Sequence, residues 1–530
     1  MKRKGWLNII IICGAIAMAP QVRAEAEDDL DYQMLTRIRD EGLGSSQVMD
    51  HASWLTDVYG PRLTGSPTIA QAANWIAKRL EKWGLSRIHR ETFPFGDGWS
   101  LVRFSAHLVE PQIQPLIGFP RTWTPGTGGT ITADVVQVDI NSLADIETYR
   151  GKLGQKIVLT QPARDVAMLD GTIVGRWTEE LLKAAELTPF TQRDPFFHAP
   201  RMRRAPTLEP TLQDKIRAFF AAEGVVAQLD RGSDDFRRRG DNQMEWMTQR
   251  TDGGTVFIRH GPRGVDPLEG IPSITLAVEH YNRMVRILAK DVSVRVELDV
   301  QVQFHEETEQ NGFNLIAELP GTDLAHEVVL LGAHLDSYPW ATGATDNAAG
   351  VAVMMEVMRI LKEVGAKPRR TIRIGLWGAE ENGLIGSRAY ALAHLIDRDT
   401  TSLKPGHEQL SAYYNIDNGT GRIRGIWLQG NFEVEPIFRQ WMQPLRDLGV
   451  TTIAPRSVRG SDYITFDNIG IPAFQFMQDR LEYNSRTHHS NMDFYDRLER
   501  DALVQMPVVV ASFAYNTAMR EARLPRKPLP

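Results

Sequence analysis

Histidines and carboxylates recur in short polar stretches, each following an apolar run. His334 and Asp336 stand in HLDS after EVVLLGA (327–333), and Glu380 and Glu381 stand in GAEE after TIRIGLW (371–377). Asp417 follows AYYNI (412–416), and IPAFQFM (471–477) leads through a loop to THHSNMD, which holds His488, His489 and Asp493. GATDNAAG puts Asp346 at the start of the helical pattern that follows the first run. Imidazoles and carboxylates without thiolate suit zinc in a catalytic site. Five protein ligands, one carboxylate being shared, can hold two ions about 3.5–4 Å apart. A water between such ions loses a proton readily and attacks a carbonyl that the same ions polarise. The adjacent Glu380 and Glu381 invite divided labour, one as base and one as ligand.

Each residue also has an ordinary structural role open to it. His334 and His489 can be satisfied structural histidines, Asp346 a helix N-cap, Glu380 and Glu381 surface charge, and Asp417, before Asn-Gly, a turn residue. Joint placement argues against five such coincidences.

The elements that must carry these residues alternate. Strands at 327–333, 371–377, 412–416 and 471–477 are interleaved with helices predicted over 347–364, 384–397, 433–448 and 500–521. This implies an α/β fold with a mostly parallel, doubly wound sheet whose site lies beyond the carboxyl ends of the strands. Upstream, 45–92 reads as helices and then a strand. AQAANWIAKRLEKWGL (70–85) has helical apolar spacing and a glycine stop, and strand-like residues follow near 98–110. Between 113 and 284 the pattern changes to short β-like runs (ADVVQVDI, KIVLTQ, GVVAQLD, GTVFIRH, IPSITLAV) broken by Gly and Pro. The expected organisation is therefore a larger domain from 45–112 and 285–522 and a smaller, β-rich insert at 113–284. The insert shows no clustered His, Asp and Glu. A chain of 530 residues exceeds what one core usually supports, which agrees with two units.

The formal net charge of −6 argues against a nucleic-acid partner, and RMRR (201–204) and RRR (237–239) read as solvated loop charge. At the N-terminus, Lys2, Arg3 and Lys4 precede an apolar run from Gly5 to Ala19. Val22-Arg23-Ala24 then offers a small-residue cleavage site, with Ala24-Glu25-Ala26 a second. This order predicts a signal peptide at 1–24, an exported chain, periplasmic or secreted from a bacterium, and no stable membrane anchor after cleavage. The only cysteine, Cys13, lies in that leader, so the mature chain has no disulfide and no thiolate ligand or nucleophile.

HLDSYPWATGATDNAAG, LWGAEENGLIGS, YNIDNGTG and HHSNMD together resemble the motifs of the co-catalytic di-zinc peptidases, which include bacterial leucyl-type aminopeptidases and plasma glutamate carboxypeptidase. The resemblance covers most of 45–112 and 285–520. It implies a zinc exopeptidase-like fold, two Zn²⁺ per chain and peptide substrates. Residue by residue, it implies that Asp346 bridges the metals and that His334, Asp417, Glu381 and His489 each bind one. Glu380 would be the general base, and Asp336 would orient the His334 imidazole. His489 rather than His488 is implied because the family ligand lies four residues before an aspartate, here Asp493, which would stand just behind the ligands. Tyr463, in GSDYITF, resembles a cleft position that touches substrate. The 113–284 insert resembles a protease-associated domain, with 165–222 as an extra segment. The expected activity is removal of N-terminal residues; carboxypeptidase or dipeptidase action, for which Arg456, Arg459 or Arg486 would supply a cation, is the alternative, and a catalytically inactive binding protein a further one. HEETE (305–309) lacks the second histidine of the helical zinc motif, no G-x-S-x-G elbow occurs, and no phosphate loop is present.

Overall fold

The computed structural model describes residues 28–189, 211–232, 248–264, 270–308, 311–458 and 460–527. The expected leader 1–24 and the basic runs 201–204 and 237–239 lie outside the described residues.

One eight-stranded sheet runs, in spatial order, through Ser86–Phe93, Gly312–Leu319, Arg370–Trp377, Leu324–His334, Leu410–Asn415, Ala473–Gln478, Ile423–Trp427 and Thr452–Ala454. The four strands from Arg370–Trp377 to Ala473–Gln478 are parallel to one another. Gly312–Leu319, Ser86–Phe93 and Ile423–Trp427 join by antiparallel pairing. The sheet is thus mixed, and the expected "mostly parallel" character belongs to its centre. Connection length explains part of this. Leu319 and Leu324 are too close in sequence for a crossover, which takes a dozen or more residues, so Gly312–Leu319 runs opposite to Leu324–His334.

Alternating strand residues feed two apolar layers. Leu331, Ile374, Tyr414 and Phe474 face the layer with helices Ala349–Glu363 and Arg500–Met519. Leu330, Tyr413 and Ala473 face the layer with Ile385–His394 and Tyr463–Asp467. This is double winding. Arg500–Met519 has the length and apolarity of a membrane span, but 89% of that window is buried, as in a core helix. The helix expected over 433–448 is interrupted: Glu435–Trp441 is α-helical and Gln443–Leu448 is a 3₁₀ turn. Pro444, which has no amide to continue the α-ladder, stands at the break.

The second sheet is also eight-stranded and mixed. Its strands Ile131–Gln137, Ile157–Leu159, Ala227–Asp230 and Ser273–Leu276 come from the expected insert and are parallel. Helices Leu212–Glu223 and Val278–Leu288 pack with them, so this unit is α/β rather than simply β-rich. It also reaches beyond 113–284: Gly98–Glu110 and Arg295–His305, expected in the larger domain, form a long antiparallel ribbon within this sheet. GTVFIRH does not join either sheet. It bridges at Phe257 to Ser490, in the loop after the strand Ala473–Gln478.

Candidate metal centre

Register brings the chemistry to one rim. His334, the last residue of its strand, lies beside Trp377, and Gly332 beside Asn415, so the parallel strands end level. The turns that follow deliver Asp336, Glu380, Glu381 and Asp417, and the loop after Gln478 delivers His488, His489 and Asp493.

His334 Nδ1–H donates to the backbone carbonyl of Asp336 at 2.9 Å, which fixes the tautomer. Nε2 then faces Asp346 Oδ1 at 3.1 Å and Asp417 Oδ1 at 3.5 Å. His489 Nε2 lies 3.1 Å from Glu381 Oε2 and 3.5 Å from Asp346 Oδ2. Asp346 therefore stands between two groups, His334 with Asp417 and His489 with Glu381. His488, its ring stacked on His489 at 3.7 Å, lies 3.9 Å from Asp346 Oδ2.

The supporting residues are equally specific. The Asp336 carboxylate accepts from the amides of Glu380 (3.2 Å) and Glu381 (3.3 Å), while its Oδ1 is 3.6 Å from His334 Nδ1. It is the carbonyl of Asp336, more than its side chain, that orients the imidazole; the carboxylate sets the GAEE turn. Asp493 accepts from the amides of Thr345 (2.7 Å) and Asp346 (3.1 Å) and so ties the histidine loop to the Asp346 turn.

Charge here is out of balance without a cation. Against the cost of burial, His334 and the neighbouring imidazoles hold Asp346 below the usual carboxylate range. Burial raises Glu380 and Glu381 well above that range, and the surrounding carboxylates push the same way. Burial would lower His334, but Asp417, Asp336 and Asp346 outweigh it and raise its pKa well above the ordinary value. Burial drives His488 down to about 3 and lowers His489, leaving both in the neutral, metal-binding form. Asp346 Oδ2 and Glu381 Oε1 are buried with no hydrogen-bond partner among the described residues. Orphaned, buried carboxylate oxygens beside neutral imidazole nitrogens are what a divalent cation satisfies, and ligand atoms of His334, Asp346 and Glu381, and of Asp346, His488 and His489, lie within 4.8 Å of one another.

Three placements depart from expectation or were not foreseen. Tyr463 is 1% exposed and belongs to the same apolar layer as Trp377, Tyr413 and Phe466. Its neighbour Asp462 is the residue near the centre: burial pushes its carboxyl up to about 7, and Asp417 and Asp336 add to the rise. Arg62, fully buried, donates to the carbonyls of Leu55, Gly60, Leu335, Thr342 and Gly343 and so pins both ends of the turn between Asp336 and Asp346. No spacing in the sequence marked it. The stretch 113–284, which shows no clustered His, Asp and Glu in sequence, sends His260 to the rim. Its ring stacks on Tyr338 at 4.2 Å, and Tyr338 lies 4.5 Å from His489. Of the arginines considered for a substrate carboxylate, Arg456 lies over Trp427, Arg486 pairs with Glu482 at 3.1 Å, and Arg459 is outside the described residues.

Residues 314–514, which contain every residue of the centre, match the family described as peptidase family M28. Human carboxypeptidase Q is 24% identical over 492 residues, spanning 92% of this chain and 88% of that protein. A solved peptidase M28 precursor from Shewanella amazonensis SB2B is 25% identical with a TM-score of 0.65, covering 94% of this chain and 98% of its own. BSAP, a zinc aminopeptidase from Bacillus subtilis, shares the fold with a TM-score of 0.53 at 18% identity, over 90% of this chain and 96% of its own. The candidate metal-ligating set thus lies inside the segment that resembles the M28 peptidase family.

Proposed function

We propose that the chain is an exported exopeptidase that uses two zinc ions to remove single residues from the N-terminus of small peptides. The observation that carries the choice of end is charge. Asp336, Asp346, Glu380, Glu381 and Asp417 bring five carboxyl groups to the centre, with Arg62 as the buried cation beside them. A centre so rich in carboxyl groups favours a free α-ammonium over a carboxylate.

Bound zinc supplies Lewis acidity toward the scissile carbonyl and toward water. The chain's own residues do the rest. Glu380, held at its amide by Asp336, takes the proton of the attacking water and gives it to the leaving amine. Asp336 holds Glu380 and Glu381 by their amides, so base and ligand keep a fixed offset. The Nδ1–H to carbonyl bond of His334 directs Nε2 inward. Tyr338 and His260 wall the rim beside His489 and exclude water from that side.

Carboxypeptidase or dipeptidase action is the second reading, favoured by the similarity to carboxypeptidase Q along nearly the whole chain. Exposed Arg259, next to His260 and close enough to depress the His489 pKa, is the cation that would receive a substrate carboxylate. Hydrolysis of free, N-blocked and C-amidated dipeptides, with chelator and with added zinc, separates the two. Zinc-dependent cleavage that needs the free amine and tolerates the amide supports the first reading. A need for the free carboxylate, lost in Arg259→Ala, replaces it with the second.

A further inference from the structure

The loop that carries His488 and His489 is gripped from outside by the segment that separates the two parts of the main sheet. Following Gln478, this loop has its inner side tied to the Asp346 turn through Asp493 and through Thr487, whose hydroxyl meets that of Thr345 at 2.8 Å. On its outer side one strip, residues 173–177, exchanges backbone hydrogen bonds between Gly175 and Leu481 (2.8 and 2.7 Å). In the same strip the Trp177 amide donates to Asp479 Oδ1 at 2.8 Å, and the Ile173 carbonyl accepts from Ser485 Oγ at 2.7 Å. A second strip, 251–258, donates from the Thr251 amide to the Ser485 carbonyl (2.8 Å) and from the Ile258 amide to the His489 carbonyl (3.2 Å). Asn491 locks this strip: its Oδ1 accepts from the Val256 amide at 2.7 Å, its Nδ2 donates to the Gly254 carbonyl at 3.2 Å, and its own amide donates to the Val256 carbonyl at 3.2 Å. Gln249 joins the strips, its amide donating to the Thr172 carbonyl at 2.6 Å and its Oε1 accepting from the amides of Asp170 and Gly171.

His489 needs such a grip. Its φ is 56°, in the left-handed region that a residue with a Cβ enters only when its surroundings impose it. The Ile258 amide bonds the carbonyl of that residue.

We propose that the intervening segment is the positioning scaffold of the last metal ligand, so that zinc binding on the Glu381–His489 side and docking of strips 173–177 and 251–258 are thermodynamically coupled. The residues that do this are positioning residues, with Asn491 and Gln249 as the two side-chain locks; none touches substrate. Partners behind a ligand commonly change metal affinity about 10–100-fold. Coupling is reciprocal, so zinc must also tighten the strips.

The proposal rests on the reading of the centre as a two-zinc site, and its test separates the two. Zinc is titrated into the full-length apo-protein against a chromophoric chelator, and hydrogen exchange is followed in peptides covering 172–178 and 249–260. The wild-type chain is expected to take up two zinc ions with slower exchange in both peptides. Asn491→Ala, folded by circular dichroism, is expected to lose about tenfold affinity for one ion of the two, and Asn491→Asp, which keeps the Oδ1 acceptor, to recover part of it. Unchanged zinc affinity in Asn491→Ala despite faster exchange at 249–260 overturns the proposal. So does zinc uptake by the wild-type chain that leaves exchange in both peptides unaltered, a result that stands even if the variant does not fold. Failure of the wild-type chain to bind zinc overturns the metal-centre reading instead, and the proposal with it.

Discussion

Asp346 faces two ways, with Oδ1 toward His334 and Oδ2 toward His489. A residue so placed serves both ions or neither. Asp346→Asn is therefore expected to weaken both zinc ions together; metal analysis showing loss of one alone contradicts the shared role. Glu380 is a different case, because Glu381 and not Glu380 approaches the histidine. Glu380→Gln is expected to keep two zinc ions and to lose turnover by about 10²-fold or more, as removal of a proton-transfer group does. Full activity in that variant removes the assigned role. His334, Asp336, Glu380, Glu381 and Asp417 were legible because each follows an apolar run by one to four positions; Asp346 opens the helical pattern after the first run, and His488, His489 and Asp493 share one short polar stretch. Asp462 and Arg62 were not, because a lone aspartate or arginine has no spacing to recognise, and their importance comes from burial.

At the scale of elements, one guanidinium spans the turn from Leu335 to Gly343. Arg62 satisfies five carbonyls, two of them at Thr342 and Gly343, just ahead of Asp346. A lysine there offers a point charge with three donors and no planar fork. Arg62→Lys is expected to leave buried carbonyls unsatisfied and to cost about 2–4 kcal/mol of stability, read by urea unfolding of the apo-protein. A loss within about 0.5 kcal/mol means that the turn holds itself. GTVFIRH gives the complementary lesson. Its composition is that of a strand, but it pairs with the histidine loop instead of a sheet, a partner that local pattern does not specify.

For the whole molecule, the excess of buried carboxylates implies that zinc is part of the stability of the fold. A ligand that binds the folded chain at about 100 times its Kd adds about 2.7 kcal/mol, so chelation is expected to lower the Tm and zinc to restore it. An identical Tm for both forms would mean that the centre is balanced without metal. Export belongs to the same scale. Protein recovered from the periplasm is expected to begin at Glu25, or at Glu27 if the second site is cut; N-terminal sequencing that finds Met1 retained rejects the cleaved leader.

The sequence by itself determined the alternation of strands and helices, the rim on which the ligands gather, and the chemistry of a thiol-free, histidine and carboxylate centre. Those properties follow from local periodicity and from residue type, which neighbours along the chain display directly. Tertiary structure alone decided that the ribbon of Gly98–Glu110 and Arg295–His305 belongs to the second sheet, that Tyr463 is buried while His260 reaches the rim, and that residues 251–258 hold the loop of His489. Each of these is a contact between segments far apart in sequence. Such contacts are settled by which surfaces bury one another and where leftover backbone donors find acceptors, and no spacing within a segment records that.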